Sequence, residues 1–321
     1  MRHLWFSMVF FLVVSSIPPA FCQRVVSTIA VGYQPTYVAA DRKTNRIYVS
    51  NQGEDTVSVI DGDSNTVLKT VSVGQFPNGI AVDAETDTIY VANIKSGSLS
   101  ILNGSTLKVS TLRLGASPSK VAVNAVTDRA YVTLEDQSGF LDVINGATHK
   151  LVASIPVPPY PLSVAVDAVS NQVFVADYLC GCGKVSVVDG ATNEVTNTFE
   201  LPGATLLGGV ALDLEANRVY TTDENTGFYV IDRTTGTILG KFSDLKYPNE
   251  VATIPNTAYA VEPDTGSDTA VFIDASTFTV KKRVPVGKFP TGVAINAATK
   301  RVYVANRQSN TISVIQLPQS W

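Results

Sequence analysis

Carboxylates and one lysine are the side chains whose types suit catalysis or ligand binding in this sequence. Asp223, Glu250 and Glu262 offer acid/base groups or oxygen ligands for a cation, and Lys120 offers an ammonium group. The sequence contains no Ser-His-Asp set, phosphate-binding glycine loop, haem-attachment motif or zinc-ligand spacing. These side chains therefore favour two kinds of function: acid/base chemistry by carboxylates, or recognition of a polar ligand.

Cys180-Gly181-Cys182-Gly183 is the most individual local feature. In an oxidising compartment we expect Cys180 and Cys182 to form a local disulfide that stiffens a surface loop. Its entropic contribution would be small because the closed loop is minimal. The alternative is a redox or soft-metal role, which lacks a nearby histidine and a second cysteine pair. We predict no cofactor and no metal site.

The elements that position these residues come from an internal repeat. Units with the same order of turns and apolar runs follow one another at intervals of about 42 residues. Seven units begin near Gly32, Gly74, Gly115, Pro158, Gly203, Leu245 and Gly287.

Each unit carries four short runs rich in Val, Ile, Tyr and Thr, separated by Asp, Asn, Gly and Ser turns. Such runs predict four antiparallel strands, and a four-stranded unit of this period is typical of a propeller blade. We therefore predict an all-β fold, a seven-bladed β-propeller of four-stranded antiparallel blades, in a single domain spanning residues 23–321.

The two ends of the chain predict how the ring closes. The seventh unit stops after its third run, residues 311–315, whereas residues 25–31 precede the first unit and match the fourth runs 67–73 and 280–286. We predict that the strand at 25–31 completes the last blade, which removes an exposed sheet edge.

One aromatic position recurs in every unit and predicts packing between blades rather than ligand binding. Its residues are Tyr48, Tyr90, Tyr131, Phe174, Tyr220, Tyr259 and Tyr303.

Short signatures recur in register with this aromatic position. They are Tyr48-Val49-Ser50-Asn51, Tyr90-Val91-Ala92-Asn93 and Tyr303-Val304-Ala305-Asn306, with Pro77-Asn78-Gly79-Ile80-Ala81-Val82-Asp83 before the second and Ser58-Val59-Ile60-Asp61 after the first. These signatures resemble the YVTN family of β-propeller repeats over residues 25–315. The resemblance implies the propeller fold and a secreted or surface-associated protein, and it assigns no activity. Units three, five and six depart from the signature at Leu134, at Thr222-Asp223 and at Val261-Glu262.

The candidate ligand-binding rim lies at one mouth of the central channel, where the loops after the second strands and the loops between blades meet. The residues that end the second strands are Asn51, Asn93, Leu134, Asp177, Asp223, Glu262 and Asn306. The first strands add Tyr37, Lys120 and Glu250, and the residues before them add Phe76, Tyr160, Tyr247 and Phe289. Together they predict a polar pocket with an aromatic rim for a protein, a glycan or a small polar ligand. The alternative is that Asn and Asp only bond to the backbone of turns.

Calcium is a further alternative at this mouth. Convergence of Asp177, Asp223, Glu250 and Glu262 would supply oxygen ligands, but the sequence has no contiguous Asp/Asn loop with metal-ligand spacing.

The N-terminus has the order of a secretory signal peptide: basic Arg2, an apolar run from Leu4 to Val14, and small residues around Phe21. We predict that residues 1–22 are removed by cleavage after Cys22, which gives a secreted or periplasmic protein without a transmembrane anchor. The alternative is a lipoprotein acylated at Cys22, against which the bulky Phe21 argues.

The formal net charge of −4 provides no basic footprint for nucleic acid or an anionic membrane. We expect a monomer that binds no nucleic acid.

Two function classes follow. The leading hypothesis is a non-enzymatic binding or protein-interaction scaffold that acts through the loop face at the channel mouth. The alternative is a lactonase-like or other hydrolase, with Glu250, Glu262, Asp223 and Lys120 as acid/base groups. His149 aligns with a turn on the opposite face and does not support histidine catalysis.

Overall fold

The computed structural model describes residues 23–178 and 183–318. Within these ranges the regular secondary structure consists entirely of β-strands. In chain order the strands are β1 (Arg24–Ala30), β2 (Pro35–Ala40), β3 (Arg46–Asn51), β4 (Thr56–Asp61), β5 (Thr66–Ser72), β6 (Pro77–Asp83), β7 (Thr88–Asn93), β8 (Ser98–Asn103), β9 (Val109–Arg113), β10 (Pro118–Asn124), β11 (Arg129–Leu134), β12 (Phe140–Asn145), β13 (Lys150–Pro156), β14 (Pro161–Asp167), β15 (Gln172–Asp177), β16 (Gly183–Asp189), β17 (Glu194–Leu201), β18 (Leu207–Asp213), β19 (Arg218–Asp223), β20 (Gly227–Asp232), β21 (Ile238–Phe242), β22 (Ala252–Thr253), β23 (Tyr259–Asp264), β24 (Thr269–Asp274), β25 (Thr279–Pro285), β26 (Pro290–Asn296), β27 (Arg301–Asn306) and β28 (Thr311–Gln316).

These strands form seven four-stranded antiparallel sheets, which are the blades of a propeller. Blade one is β2 to β5, and each following group of four strands up to β25 forms the next blade. Within each of these sheets the strands are hydrogen-bonded in sequence order, because short polar turns join consecutive strands. The predicted all-β, seven-bladed fold is confirmed.

The seventh blade is built from both ends of the chain. Its strand order is β1-β28-β27-β26, so the N-terminal strand is the outermost one. Ile29 lies opposite Ile312, and the amide of Val31 donates to the carbonyl of Asn310 at 3.0 Å. The predicted closure is confirmed, with the strand at Arg24–Ala30 rather than 25–31.

The core lies between neighbouring blades. Ile47, Tyr48 and Val49 of β3 are fully buried at consecutive positions because the sheet is covered on both faces. Tyr48 packs against Ile89 of the next blade, as expected for an aromatic that joins blades. The outer strand β5 is exposed except at Val71.

Blade six departs from the predicted alignment by two residues. Val261, and not Tyr259, pairs with the first strand as Tyr48 does in blade one. The prediction of an aromatic at this position in all seven blades is therefore wrong for blade six. The position could have been found from spacing, since Val261 follows Pro248 at the distance at which Tyr48 follows Pro35.

The same shift corrects the placement of Glu262. It takes the place of Val49 inside the second strand, is fully buried, and does not line the mouth. The strand ends two residues later at Asp264. Phe272 on the neighbouring third strand supplies the aromatic bulk between blades six and seven.

No helix that is long and apolar enough to cross a bilayer occurs within residues 23–178 and 183–318.

Candidate functional site at the channel mouth

The first strands of the blades line the central channel and contact one another around the ring. A Cβ atom added to Gly79 would lie 2.6 Å from the Cα atom of Lys120, and one added to Gly292 would lie 2.7 Å from that of Tyr37. Each glycine therefore allows the next blade to approach closely. Around the axis the residues are Tyr37, Gly79, Lys120, Ser163, Gly209, Glu250 and Gly292.

The three large side chains of this ring meet at the axis, and we call Tyr37, Lys120 and Glu250 the axial triad. The Lys120 ammonium group pairs with the Glu250 carboxylate and lies 3.5 Å from the centroid of the Tyr37 ring. The side chains of Lys120 and Glu250 are only 10% and 11% exposed. Burial lowers the pKa of Lys120, an effect that the adjacent carboxylate counteracts.

Bulges and hydroxyl groups position two members of the triad. The pairing of the first and second strands is interrupted in blades one and three, at the level of Tyr37 and Lys120. There the amide of Tyr37 donates to Oγ of Ser50 at 3.1 Å, and the amide of Lys120 donates to Oγ1 of Thr133 at 3.0 Å. Because a bulge changes the direction of a side chain, this local break turns both residues toward the axis.

Glu250 is positioned by a hydroxyl group of the preceding blade. Oγ1 of Thr222 accepts the amide of Gly209 at 2.7 Å and donates to the carbonyl of Asn249 at 2.6 Å. Asn249 directly precedes Glu250, so this bond fixes the backbone from which the carboxylate reaches the axis.

A second ring of residues, the mouth ring, follows the ends of the second strands. In six blades the amide of this residue donates to the carbonyl of the residue before the first strand, as from Glu135 to Ser117 at 2.8 Å and from Glu224 to Leu206 at 3.0 Å. The backbone is thus held in the same way while the side chains differ. The members of the mouth ring are Gln52, Ile94, Glu135, Tyr178, Glu224, Thr265 and Arg307.

Blades three to five give the mouth ring an acidic side, the acidic arc of Glu135, Tyr178 and Glu224. The Tyr178 hydroxyl donates to the Glu224 carboxylate at 3.4 Å. Burial raises the pKa of both carboxyl groups, and hydrogen bonds from Ser119 and Tyr178 offset only part of this effect. Neither carboxylate forms an ion pair with a cation of the described chain.

The opposite side of the mouth carries a cation and amide groups. The Arg307 guanidinium donates to Oε1 of Gln52 at 2.6 Å. Nε2 of Gln52 lies 3.4 Å from Oδ1 of Asn78, and Nδ2 of Asn78 donates to Ser119 at 3.2 Å. This chain of polar contacts fixes the orientation of Arg307 and runs around the mouth toward Glu135.

Tyr37 connects the axial triad with the mouth ring. Burial raises its pKa, Glu135, Glu224 and Tyr178 raise it further, and Arg307 lowers it. These four charged or ionisable neighbours all belong to the mouth ring, so the hydroxyl of Tyr37 points from the triad to the mouth. At neutral pH this hydroxyl is a neutral hydrogen-bond donor.

The predicted asparagines at the strand ends do not face the mouth. Asn51, Asn93 and Asn306 are fully buried, and Nδ2 of each donates to hydroxyl groups of the third strand in its own blade, as to Ser58 from Asn51 at 2.9 Å. The structure corrects their placement, because these amides hold the turn between the second and third strands.

Asp177 and Asp223 have the same structural role in blades four and five. Asp177 accepts the amide of Lys184 at 2.9 Å, and Asp223 accepts four backbone amides of its neighbouring loops. Burial alone would raise the pKa of Asp223. The hydrogen bonds from these amides outweigh the effect of burial, so the pKa lies below its ordinary value. Leu134, their counterpart in blade three, is buried too.

The structure therefore does not bring together the four carboxylates on which the calcium hypothesis depended. Glu250 pairs with Lys120, Glu262 lies inside blade six, and Asp223 bonds to its loops. Among residues 23–178 and 183–318 there is no group of three or more His, Cys, Asp and Glu side chains that could hold a metal.

Aromatic residues precede the first strands of four blades, and the carbonyls of Phe76, Tyr160 and Phe289 accept hydrogen bonds from amides of the mouth ring. Phe76, Tyr160, Tyr247 and Phe289 all have left-handed backbone, with φ between 55 and 60°. Phe289 and Arg307 border an open cavity of about 380 Å³ beside the mouth.

The remaining predicted residues lie elsewhere. His149 is in the turn between β12 and β13, on the face opposite the mouth. Cys180, Cys182 and residues 1–22 lie outside the described ranges, so the disulfide and the signal peptide stay predictions.

Sequence reasoning missed the mouth ring although a signal was present. Asn or Asp ends the second strand in six of the blades, whereas the residue that follows changes in type from blade to blade. A position whose side chain is kept constant to hold a turn, followed by a position whose side chain varies, is the pattern expected where a repeat protein binds a ligand.

Comparisons with known proteins agree with the fold. No family model matches the chain. It is 28% identical over 170 residues to the uncharacterized protein YncE of Salmonella typhi and to that of Salmonella typhimurium. The match covers 49% of this chain and 45% of each relative, so it spans less than half the length of these curated relatives. The chain is thus a distant homologue of YncE over half its length.

A solved structure of Kuenenia stuttgartiensis hydrazine synthase is similar in fold. The TM-score is 0.82 at 19% identity, and the match covers 88% of this chain and 95% of the other. At this identity the similarity concerns the propeller architecture alone.

Proposed function

We propose that this chain is a non-enzymatic binding protein that holds a polar ligand, or a polar group of a protein or glycan, at the channel mouth. One observation carries the proposal. Charged groups of opposite sign, Glu135 and Glu224 on one side and Arg307 on the other, surround a floor made by the axial triad. A concave site with a few convergent polar groups is the usual form of a ligand site.

The construction of the mouth favours binding. Equivalent backbone hydrogen bonds hold the mouth ring in six blades, so its side chains are presented without a large loss of conformational freedom. Glu135 and Glu224 are partly buried without a cation in the described chain, at a desolvation cost that a ligand would offset.

A hydrolase is the second candidate function, and one observation at the mouth supports it. Burial raises the pKa of Glu135 and of Glu224, which is the direction in which an enzyme adjusts a carboxyl group that acts as a general acid. By contrast, Glu250 and Lys120, which the sequence suggested for this role, are paired with each other.

The test is a thermal-shift and calorimetric screen of small polar compounds against the protein of residues 23–321. We expect compounds that stabilise the wild type and the surface variant Glu85→Gln, and whose effect is lost in Glu224→Gln. Glu85 is a matched control because it lies on the outer surface beside Lys43. If every stabilising compound acted equally on Glu224→Gln, the mouth would not be the binding site.

The rival function is tested with lactone and ester substrates. We expect no turnover above that of Glu135→Gln and Glu224→Gln. Suppose that the wild type and Glu85→Gln hydrolyse a substrate and that Glu135→Gln or Glu224→Gln does not. The protein would then be a hydrolase, and the binding proposal would be rejected.

We further propose that the protein is exported and works outside the cytoplasm. The order of basic, apolar and small residues at 1–22 supports this location. Mass spectrometry of the exported protein should give an unmodified N-terminus at Gln23, whereas a lipid-modified Cys22 would contradict it.

A further inference from the structure

The charges of the mouth ring are separated across the channel. The acidic arc belongs to blades three to five, and Arg307 belongs to blade seven. Nucleic acids or dianions would be repelled by the arc, and a simple cation would leave Arg307 without an anion. The arrangement is complementary to a ligand that carries both charges.

The acidic arc is suited to an ammonium group. Glu135 and Glu224 flank Tyr178, and the described chain supplies no ion-pair partner to either carboxylate. An ammonium group has three donors, which is enough to serve two carboxylates and a hydroxyl group. Charge-assisted bonds of this kind are among the stronger ones in proteins.

Tyr37 is an independent sign that the mouth takes a ligand. Tyr37 as a whole residue is 9% exposed, and the Lys120 ammonium group lies 3.5 Å from the centroid of its ring. Its amide and carbonyl have partners, but no described residue forms a hydrogen bond with its hydroxyl. The residue is largely buried, but its hydroxyl is open to the mouth and is available to bond to a molecule there.

Arg307 is suited to a carboxylate. One terminal nitrogen of its guanidinium donates to Gln52, and no carboxylate of the described chain pairs with it. Its other donors have the planar geometry that binds a carboxylate with two parallel bonds. Gln52 is itself in contact with Asn78, so the guanidinium is held before the ligand arrives.

We infer that the mouth ring binds a small zwitterion, an amino acid in the broad sense, with its ammonium group on Glu135 and Glu224 and its carboxylate on Arg307. This inference rests on the proposed binding function and specifies its ligand class. The hydroxyl of Tyr37 bonds to the ligand from below.

The test is isothermal titration calorimetry of the protein of residues 23–321 with three sets of probes. The zwitterions are glycine, 4-aminobutanoate and 6-aminohexanoate, which differ in charge separation. The matched probes are 1,4-diaminobutane, which has two ammonium groups, and succinate, which has two carboxylates. We expect one or more of the amino acids to bind more tightly than either matched probe.

Variants then assign each charge to its partner. Glu135→Gln and Glu224→Gln should each weaken amino acid binding about tenfold or more, the size expected for a lost charged hydrogen bond. Arg307→Gln should weaken it similarly but should not weaken any diamine binding, because the lost cation only repels a diamine. The outer-surface variant Glu85→Gln should bind as the wild type does.

A measurement on the wild type alone guards against variants that fold poorly. Amino acid affinity should fall when the pH is lowered, because protonated Glu135 and Glu224 no longer attract an ammonium group. Constant affinity from pH 8 to pH 4, which lies below the ordinary carboxyl pKa of 4.5, would overturn the inference.

The two proposals fail separately. A diamine or succinate that binds tighter than the amino acids, with binding lost in Glu224→Gln, would overturn the zwitterion and leave the mouth as a binding site. If no amino acid bound at all, the zwitterion would be rejected. If, in addition, no compound of the wider screen depended on Glu224, the binding function would be rejected with it.

Discussion

The ammonium group of Lys120 in blade three pairs with the carboxylate of Glu250 in blade six, across the axis of the ring. The pair joins blades that are not neighbours, and it forms with Tyr37 the floor of the channel mouth. Because both side chains are nearly excluded from water, each charge depends on the other for compensation.

Breaking this pair should destabilise the ring. Lys120→Met or Glu250→Gln leaves one buried charge without its partner, and each should lower the free energy of unfolding by about 3–5 kcal/mol. The double variant Lys120→Met/Glu250→Leu should lose less than either single one. Urea denaturation measures these values. The control is Lys43→Met, which removes an exposed ion pair with Glu85 and should cost less than about 1 kcal/mol. Equal losses in Lys120→Met and Lys43→Met would contradict the structural importance of the pair.

The closure strand should contribute to the stability of the whole ring. Ile29 of β1 is buried in the core between blades seven and one, and Ile29→Ala should cost about 2–5 kcal/mol. Val26 of the same strand is 43% exposed, so Val26→Ala should cost well under half as much. Both are measured by chemical denaturation of the protein of residues 23–321. Similar losses in the two variants would mean that the strand does not pack as the structure has it.

The carboxylates of the acidic arc should lower stability at neutral pH. Their pKa values are raised in the folded protein, so folding becomes less favourable as the pH rises from the ordinary carboxyl value of 4.5 through the raised value. Gln cannot ionise. Glu135→Gln and Glu224→Gln should therefore melt at a higher temperature than the wild type at pH 8, and the gain should disappear near pH 4.

Glu85 provides the control of opposite sign for this prediction. A hydrogen bond from Lys43 lowers its pKa, so Glu85→Gln should give no gain at pH 8. A thermal melt series from pH 4 to pH 8 compares the three variants. A gain that is the same at both ends of the series would exclude ionisation as its cause.

Glu262→Val should stabilise the protein. Glu262 is fully buried at a position that is valine in blade one, and burial raises its pKa well above the usual value. Only the backbone of Asn249 offers it a donor, and neither carboxyl oxygen makes a hydrogen bond of normal geometry. Valine should add roughly 1–3 kcal/mol, the cost of a buried polar group without a partner.

The matched control for Glu262→Val is the same substitution at exposed Glu194, which should change the free energy of unfolding by less than about 0.5 kcal/mol. The gain at Glu262 should also grow with pH, because the carboxyl group ionises less readily in the folded than in the unfolded chain. A loss of stability in Glu262→Val would contradict a desolvation cost at this position.

Much of the fold followed from particular residues of the sequence. The repeated turns and Val-rich runs predicted the blades, and the similarity of 25–31 to the fourth runs predicted the closure. The error in blade six arose because Tyr259 was aligned by its residue type. Register is determined by pairing along the first strand, which places Val261 at that position.

The site was less predictable for a different reason. Tyr37, Lys120 and Glu250 could be assigned to the axis because each has the same place in its repeat. Whether their side chains touch depends on the number of blades and on how closely neighbouring blades approach one another. Glu135, Glu224 and Arg307 are unremarkable in sequence, being single charges after strand ends.

The repeat and the strands could be predicted from local periodicity within each unit, and the closure from the match between residues 25–31 and the fourth runs of other units. Which side chains face the mouth, and which form hydrogen bonds within turns, could be seen only in the folded ring. That choice depends on contacts between blades far apart in the chain, as between Lys120 and Glu250, and on burial, which no single unit specifies.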